Sequence, residues 1–214
     1  MDEEITIIDT NTRNEKIKNF FIDNKKILIT IFISLILVVF SFYTYQLYKN
    51  GHKEGLANKY NRAVIEYENG DKSKIILSME EIINDRDKSY SPLALFFLID
   101  NNLIENKETT NQLFDVLINK TNLETEIKNL IIYKKALYNS NFSDEIRLLE
   151  ILNPIINSDS IWKSHSLYLM GEFFYSKNEK NKAKEFFVQI LTVLNGNSDI
   201  KLKVQERLNR DFGE

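Results

Sequence analysis

The chain has 214 residues and a formal net charge of −3, with both signs mixed along its length, so it lacks the basic face that displaces counterions from nucleic acid. It has no cysteine, which excludes disulfides, thiolate metal sites and a cysteine nucleophile and leaves the redox compartment open. Six glycines and two prolines leave few encoded breaks, so helices are expected to dominate.

The first segment, residues 1–24, reads as an arm. Residues 1–11 (MDEEITIIDTN) are acidic and show no helical stripe, and are expected to lack regular structure. Thr12 with Glu15 has the spacing of a capping box, which predicts a short helix over 12–24. Ile17, Phe20 and Phe21 with Lys16 and Lys18 make that helix amphipathic. Two roles stay open for it: lying against the cytoplasmic leaflet, or leading into the segment that follows.

Residues 25–48 read as a transmembrane helix. No residue from 27 to 48 is charged, and 22 helical residues reach roughly 33 Å, enough for a hydrocarbon core of about 30 Å. Lys25, Lys26 and Lys49 bracket the run, and Tyr43, Tyr45 and Tyr48 gather at its C-terminal end, where amphipathic rings favour headgroups. A cleaved signal peptide would start closer to Met1 and end on small residues, which FYTYQLYKNGHKEG does not provide. Five basic residues precede the run (Arg13, Lys16, Lys18, Lys25, Lys26) and four follow it (Lys49, Lys53, Lys59, Arg62). The pair nearest the bilayer favours a cytoplasmic N-terminus and an external C-terminal part. Ser34 and Ser41 offer small contacts for helix pairing, although seven apart they miss the usual four-residue spacing.

Residues 49–214 read as an all-α soluble domain. Apolar residues recur at three- and four-residue spacing, predicting helices over 48–69, 72–85, 90–105, 108–120, 123–140, 143–157, 160–177, 180–194 and 197–211. Short polar breaks at 69–71, 106, 139–143 and 177–180 predict four antiparallel hairpins plus a capping helix.

The last hairpin has the sharpest pattern. Leu167, Met170, Gly171, Phe174, Asn178, Ala183, Phe187 and Ile190 occupy positions 4, 7, 8, 11, 15, 20, 24 and 27 of a 34-residue unit, which resembles the tetratricopeptide repeat. Small residues at 8 and 20 let two helices cross closely, and large apolar ones fill the space between hairpins. Ala63, Gly70, Ile75, Met79 and Ile82 echo positions 8, 15, 20, 24 and 27 in a first unit; Ala136, Leu148, Leu152 and Ile155 echo 8, 20, 24 and 27 in a third. The second unit departs, with Leu98 and Thr110 where small residues belong. Ala63 and Gly171 lie 108 residues apart, three steps of 36, as a TPR-like solenoid would have them.

Nothing in the chain reads as a catalytic centre. His52 and His165 have no partner at metal-ligand spacing, and no phosphate loop, nucleophile elbow or paired-carboxylate motif occurs. No cofactor, metal or small-molecule substrate is expected. Trp162, the one tryptophan, suits either a bound partner or packing between the third and fourth hairpins. Tyr133 and Tyr138, with Tyr60, Tyr67 and Phe142, suit either an aromatic groove or a core. The sequons at Asn119 and Asn141 carry no weight in so asparagine-rich a chain.

An N-terminal arm, one signal-anchor span and four degenerate TPR-like hairpins, the last carrying Trp162, Gly171, Ala183 and Phe187, resemble the YfgM-like ancillary subunits of the Sec translocon in their alphaproteobacterial style. The resemblance covers the whole chain in layout and rests, in motif, on residues 160–192 and the span. It implies an inner-membrane protein with its TPR-like domain in the periplasm. Its implied partners are translocon subunits, periplasmic chaperones or exported proteins, with no enzymatic activity. A scaffold for another envelope assembly, in cell division or envelope biogenesis, is the alternative.

Overall fold

The structure, a computed structural model, describes the backbone of residues 2–194 and 196–213 and the side chains from residue 13 on. Those described residues form ten helices and no strand. The chain divides into two compact units, Met1–Gly55 and Leu56–Glu214.

The first unit holds α1 (Asp2–Asp23) and the start of α2 (Lys25–Glu66). Helix α1 begins at Asp2, so residues 2–11 are helical where the sequence pattern predicts no regular structure, and Thr12 lies inside the helix instead of capping it; Met1 lies outside the described residues. Residues 2–11 contain neither proline nor glycine, so nothing in the sequence there breaks the helix. Asn24 joins the two helices: its N–H donates to the Phe20 carbonyl (3.0 Å) and its carbonyl accepts from Leu28 N–H (2.9 Å).

Helix α2 merges the helix expected over 25–48 with the one expected over 48–69. It runs unbroken through Gly51 and Gly55 and the division between units falls after Gly55. Without a proline, two isolated glycines cost a helix only about 1 kcal/mol each and do not end it. No large hydrophobic side chain between Ile27 and Tyr48 is buried. Thr30 and Thr44 turn their hydroxyls onto the Lys26 and Phe40 carbonyls (2.9 and 3.1 Å), leaving fewer groups that need water. By length and composition this stretch is a candidate single membrane span.

The second unit continues α2 from Leu56 and adds α3 (Lys72–Asp85), α4 (Tyr90–Asp100), α5 (Lys107–Lys120), α6 (Thr125–Asn139), α7 (Glu145–Ile156), α8 (Lys163–Ser176), α9 (Lys180–Thr192) and α10 (Ser198–Phe212). Asparagine and aspartate side chains start four of them. Asp71 accepts from Ser73 N–H (3.0 Å), Asn106 from Glu108 (2.8 Å), Asp144 from Arg147 (2.8 Å) and Asn197 from Ile200 (3.0 Å).

Asparagine also ends helices. Asn178 takes a left-handed φ of 63° after α8, with its N–H on the Tyr175 carbonyl (3.0 Å) and Glu179 N–H on Phe174 (2.9 Å). That pair of bonds is a Schellman motif. Asn102 (φ 51°) repeats it after α4, with bonds to Ile99 (3.0 Å) and from Leu103 to Leu98 (2.9 Å). This is why α4 stops at Asp100 and not at 105 as its apolar pattern predicts.

Neighbouring helices pack to different extents: α8 and α9 share the most extensive contact, α3 and α4 the next, α6 and α7 less, and α4 and α5 much less. Gly171 meets Phe187 where α8 packs on α9. A Cβ on Gly171 would press into the Phe187 ring, 2.7 Å from Cδ1 and 2.9 Å from Cζ. Two buried clusters fill the unit. One gathers Leu56, Ala63, Met79, Leu95, Phe114 and Ile131; the other gathers Ile132, Leu152, Met170, Phe174, Phe187 and Leu208. Helix α6 serves both through adjacent residues, Ile131 and Ile132. Helix α10 is clamped on α8 by Arg207, whose guanidinium meets Glu172 at 2.8 Å and covers the Tyr175 ring at 4.4 Å.

Gly171→Ala therefore destabilises the second unit. Overpacking costs about 1–3 kcal/mol and outweighs the roughly 1 kcal/mol that alanine gains over glycine in a helix. Thermal unfolding should show a Tm lower by a few degrees, partly restored when Phe187→Leu is added to open the crossing.

Candidate functional site

The residues of the repeat pattern lie where helices meet. Ala63, Ala136, Leu167, Gly171, Phe174, Ala183, Phe187 and Ile190 are all buried. Gly70 sits in the exposed α2–α3 connection, where its N–H reaches the Glu66 carbonyl (2.6 Å) and a Cβ would run into that same oxygen. These positions set helix approach and offer no surface to a ligand.

The aromatic residues form three separate clusters in place of one groove. Tyr60 and Tyr67 pack on Phe97 of α4, with ring centroids at 6.3 and 5.3 Å. Tyr138 meets Phe114 (6.1 Å) and Phe142 (5.3 Å), and the Lys107 ammonium lies 4.1 Å from the Phe142 ring. Tyr133 stacks on Trp162 at 5.8 Å, and both rings contact His165. Of the proposed partner-binding residues, Trp162 and Tyr133 are brought together and Tyr138 is not. Five helical residues turn a side chain through roughly 140°, so Tyr133 and Tyr138 leave α6 on different faces. Trp162 is the N-cap of α8, and its half-buried ring fastens that helix to α6.

Exposed aliphatic residues stand on several helices, among them Ile65, Leu77, Ile146 and Leu202, and on α6 two of them share one stripe. Helix α4 is apolar nearly all round, more than one core face requires. On α6, Ile127 (42% exposed), Leu130, Lys134 and Leu137 (40%) recur at helical spacing along one stripe. On α4, Leu93 (46%) is open and Phe96 is half-buried against the core, with the Lys134 ammonium 5.9 Å from its ring. Sequence reasoning fixed on aromatic residues and missed Leu93, Ile127 and Leu137. The available signal was the surplus of aliphatic residues in YSPLALFFLID and TEIKNLIIYKKALYN.

Polar groups elsewhere are mostly spoken for. Between α5 and α6, Lys135 is buried and holds Asp115 at 2.8 Å, while Asn111 and Asn139 exchange amide bonds at 3.1 and 2.9 Å. A cleft of about 560 Å³ opens beside the start of α8, lined by Asp159, Ser160, Lys163, Gln189 and Leu194 among others. The Ser160 hydroxyl there is committed to Glu126 (2.7 Å). Among the described residues, no three of histidine, cysteine, aspartate and glutamate gather as a metal site would need. What this surface can do is accept aliphatic or aromatic side chains of another polypeptide. No protein-family model, curated protein or solved structure matches the chain.

Burial in the Trp162 cluster lowers the pKa of His165 from its ordinary value near 6.5, with the Ile161 carbonyl opposing more weakly. The fold thus prefers neutral imidazole, and the unfolded chain binds the extra proton. That stability is fully present above about pH 6.5 and is lost as pH falls through the folded value. Denaturant midpoints measured from pH 7.5 down to 5 should fall less steeply for His165→Phe than for the parent. Trp162→Ala should lower stability at every pH by about 2–3 kcal/mol, short of the roughly 3–5 kcal/mol of a fully buried ring.

Proposed function

We propose that this chain is a membrane-tethered protein-interaction scaffold without catalytic chemistry. In this reading the second unit is a TPR-like solenoid with hairpins α2–α3, α4–α5, α6–α7 and α8–α9 and a capping helix, α10. Supporting it are the sequential packing of short-linked helices from α3 to α10 and the close approach of Gly171 to Phe187 between α8 and α9. The assembly it serves is the Sec translocon, with the N-terminus cytoplasmic and the second unit periplasmic, holding chaperones or newly exported segments. The resemblance in layout supports this assignment, and cell division or envelope biogenesis is the second assembly to weigh.

The observation that carries the scaffold reading is the stripe of Ile127 and Leu137 on α6, with Leu93 on α4, open to solvent on a chain with one candidate span. Exported segments pass a translocon unfolded, with apolar side chains exposed, and such a stripe fits them in extended or helical form. Tethering confines the stripe to the membrane surface and raises its effective concentration, so weak contacts suffice.

Photo-crosslinkers placed at Leu93, Ile127 and Leu137, with Lys203 on α10 as control, should capture translocon subunits or emerging exported chains from the stripe only. Capture of division or envelope-assembly proteins would move the chain to the second assembly. Equal capture from Lys203 would remove the stripe as a binding surface. Leu137→Asp should weaken capture about tenfold, the loss expected of an apolar contact worth about 1–2 kcal/mol, while leaving the unfolding midpoint unchanged.

A further inference from the structure

Helix α1 carries a second unpartnered apolar face. Ile17, Phe20 and Phe21 stand at spacings of three and four, so they share one side of the helix, and they are 50, 56 and 58% exposed. The Phe20 and Phe21 rings meet edge to face at 6.0 Å. Lys16 and Lys18 flank this side at about 100° to its left and right, while Glu15 and Asn19 lie opposite. That is the arrangement in which lysine stems cover an apolar surface and lift their charges to headgroup level.

Charge follows the same boundary. From residue 13 to residue 26 the chain has five basic residues (Arg13, Lys16, Lys18, Lys25, Lys26) against Glu15 and Asp23. Upstream, Asp2, Glu3, Glu4 and Asp9 reverse the sign, so only the part of α1 nearest the span suits an anionic surface. Asn24 alone separates α1 from α2, and its two bonds keep the basic, aromatic half of α1 beside the point where the apolar stretch begins.

We infer that residues 13–23 of α1 dock on the anionic headgroup surface of the leaflet that α2 enters, with Ile17, Phe20 and Phe21 in the acyl boundary. The occupant of this face is thus lipid. Juxtamembrane basic residues are attracted to anionic leaflets, and an interfacial helix of this kind seats its apolar side roughly 5–10 Å deep. The inference rests on α2 being a membrane span and is independent of which protein partners the second unit holds.

Because the chain has no cysteine, a single introduced one gives a unique spin label. The full chain is labelled in turn at Glu15, Ile17, Asn19, Phe20, Phe21 and Val38 and placed in vesicles of phosphatidylcholine alone or with phosphatidylglycerol. Relaxation by oxygen, which partitions into lipid, is compared with relaxation by a water-soluble nickel chelate. The oxygen-to-nickel ratio should be several-fold higher at 17, 20 and 21 than at 15 and 19 in the anionic vesicles. Lys16→Glu with Lys18→Glu should flatten that pattern.

Four results would overturn the proposal. Uniform water exposure from 15 to 21 would leave α1 free of the membrane. Uniform lipid exposure would make α1 an extension of the span. An unchanged pattern in neutral vesicles would remove the anionic surface as the ligand. A Val38 label open to nickel would remove the span itself, a different failure that takes the proposal with it.

Discussion

No helix of the second unit can bury its apolar side alone, and connections of three to six residues leave each one its neighbours and the helix next beyond for cover. Everything else in that unit follows from how closely those neighbours approach. Where glycine faces a phenylalanine ring, as Gly171 faces Phe187, two helices nest and share long contact. Helices α4 and α5 share less contact, and Leu93 on α4 stays open to water.

Helix α6 shows how the constraint shapes the whole unit. Ile131 and Ile132 point into different clusters, so α6 is wall to two cores, and the remainder of its circumference, Ile127 to Leu137, has nothing left to cover it. The polar pairs on its α5 side, Lys135 with Asp115 and Asn139 with Asn111, satisfy groups that would cost several kcal/mol if buried alone. Such pairs fix the register of α5 on α6 more than they add stability. Trp162 does comparable work on the other side by fastening α8 to Tyr133. A surface fixed in this way can receive a flexible partner without first paying to order itself.

The helical class and most helix positions were legible because apolar periodicity survives even in a chain this rich in asparagine, lysine and isoleucine. Asparagine was the residue hardest to interpret. Asn178 falls in the expected break at 177–180, but Asn102 lies inside the helix expected over 90–105, and both end helices in the left-handed conformation that a short, self-bonding amide tolerates. The span expected over 25–48 and the helix expected over 48–69 are one helix, because no residue where they meet stops it. The surface was less legible than the fold. Periodicity says that a residue faces a neighbour but not which of several neighbours, so Tyr133 and Tyr138 looked alike in sequence and lie in different clusters. The aliphatic stripe was hidden by the same logic, because leucine and isoleucine at helical spacing are read as core before they are read as surface.

The central claim is that a single span holds an interaction surface outside the cytoplasm. Protease accessibility of the second unit in intact bacterial spheroplasts, with a cytoplasmic protein as internal control, tests it most directly. The account predicts that protease added from outside removes the part of the chain after the span while the control stays whole. Protection of the second unit until the membrane is lysed would contradict it and place the scaffold among cytoplasmic partners.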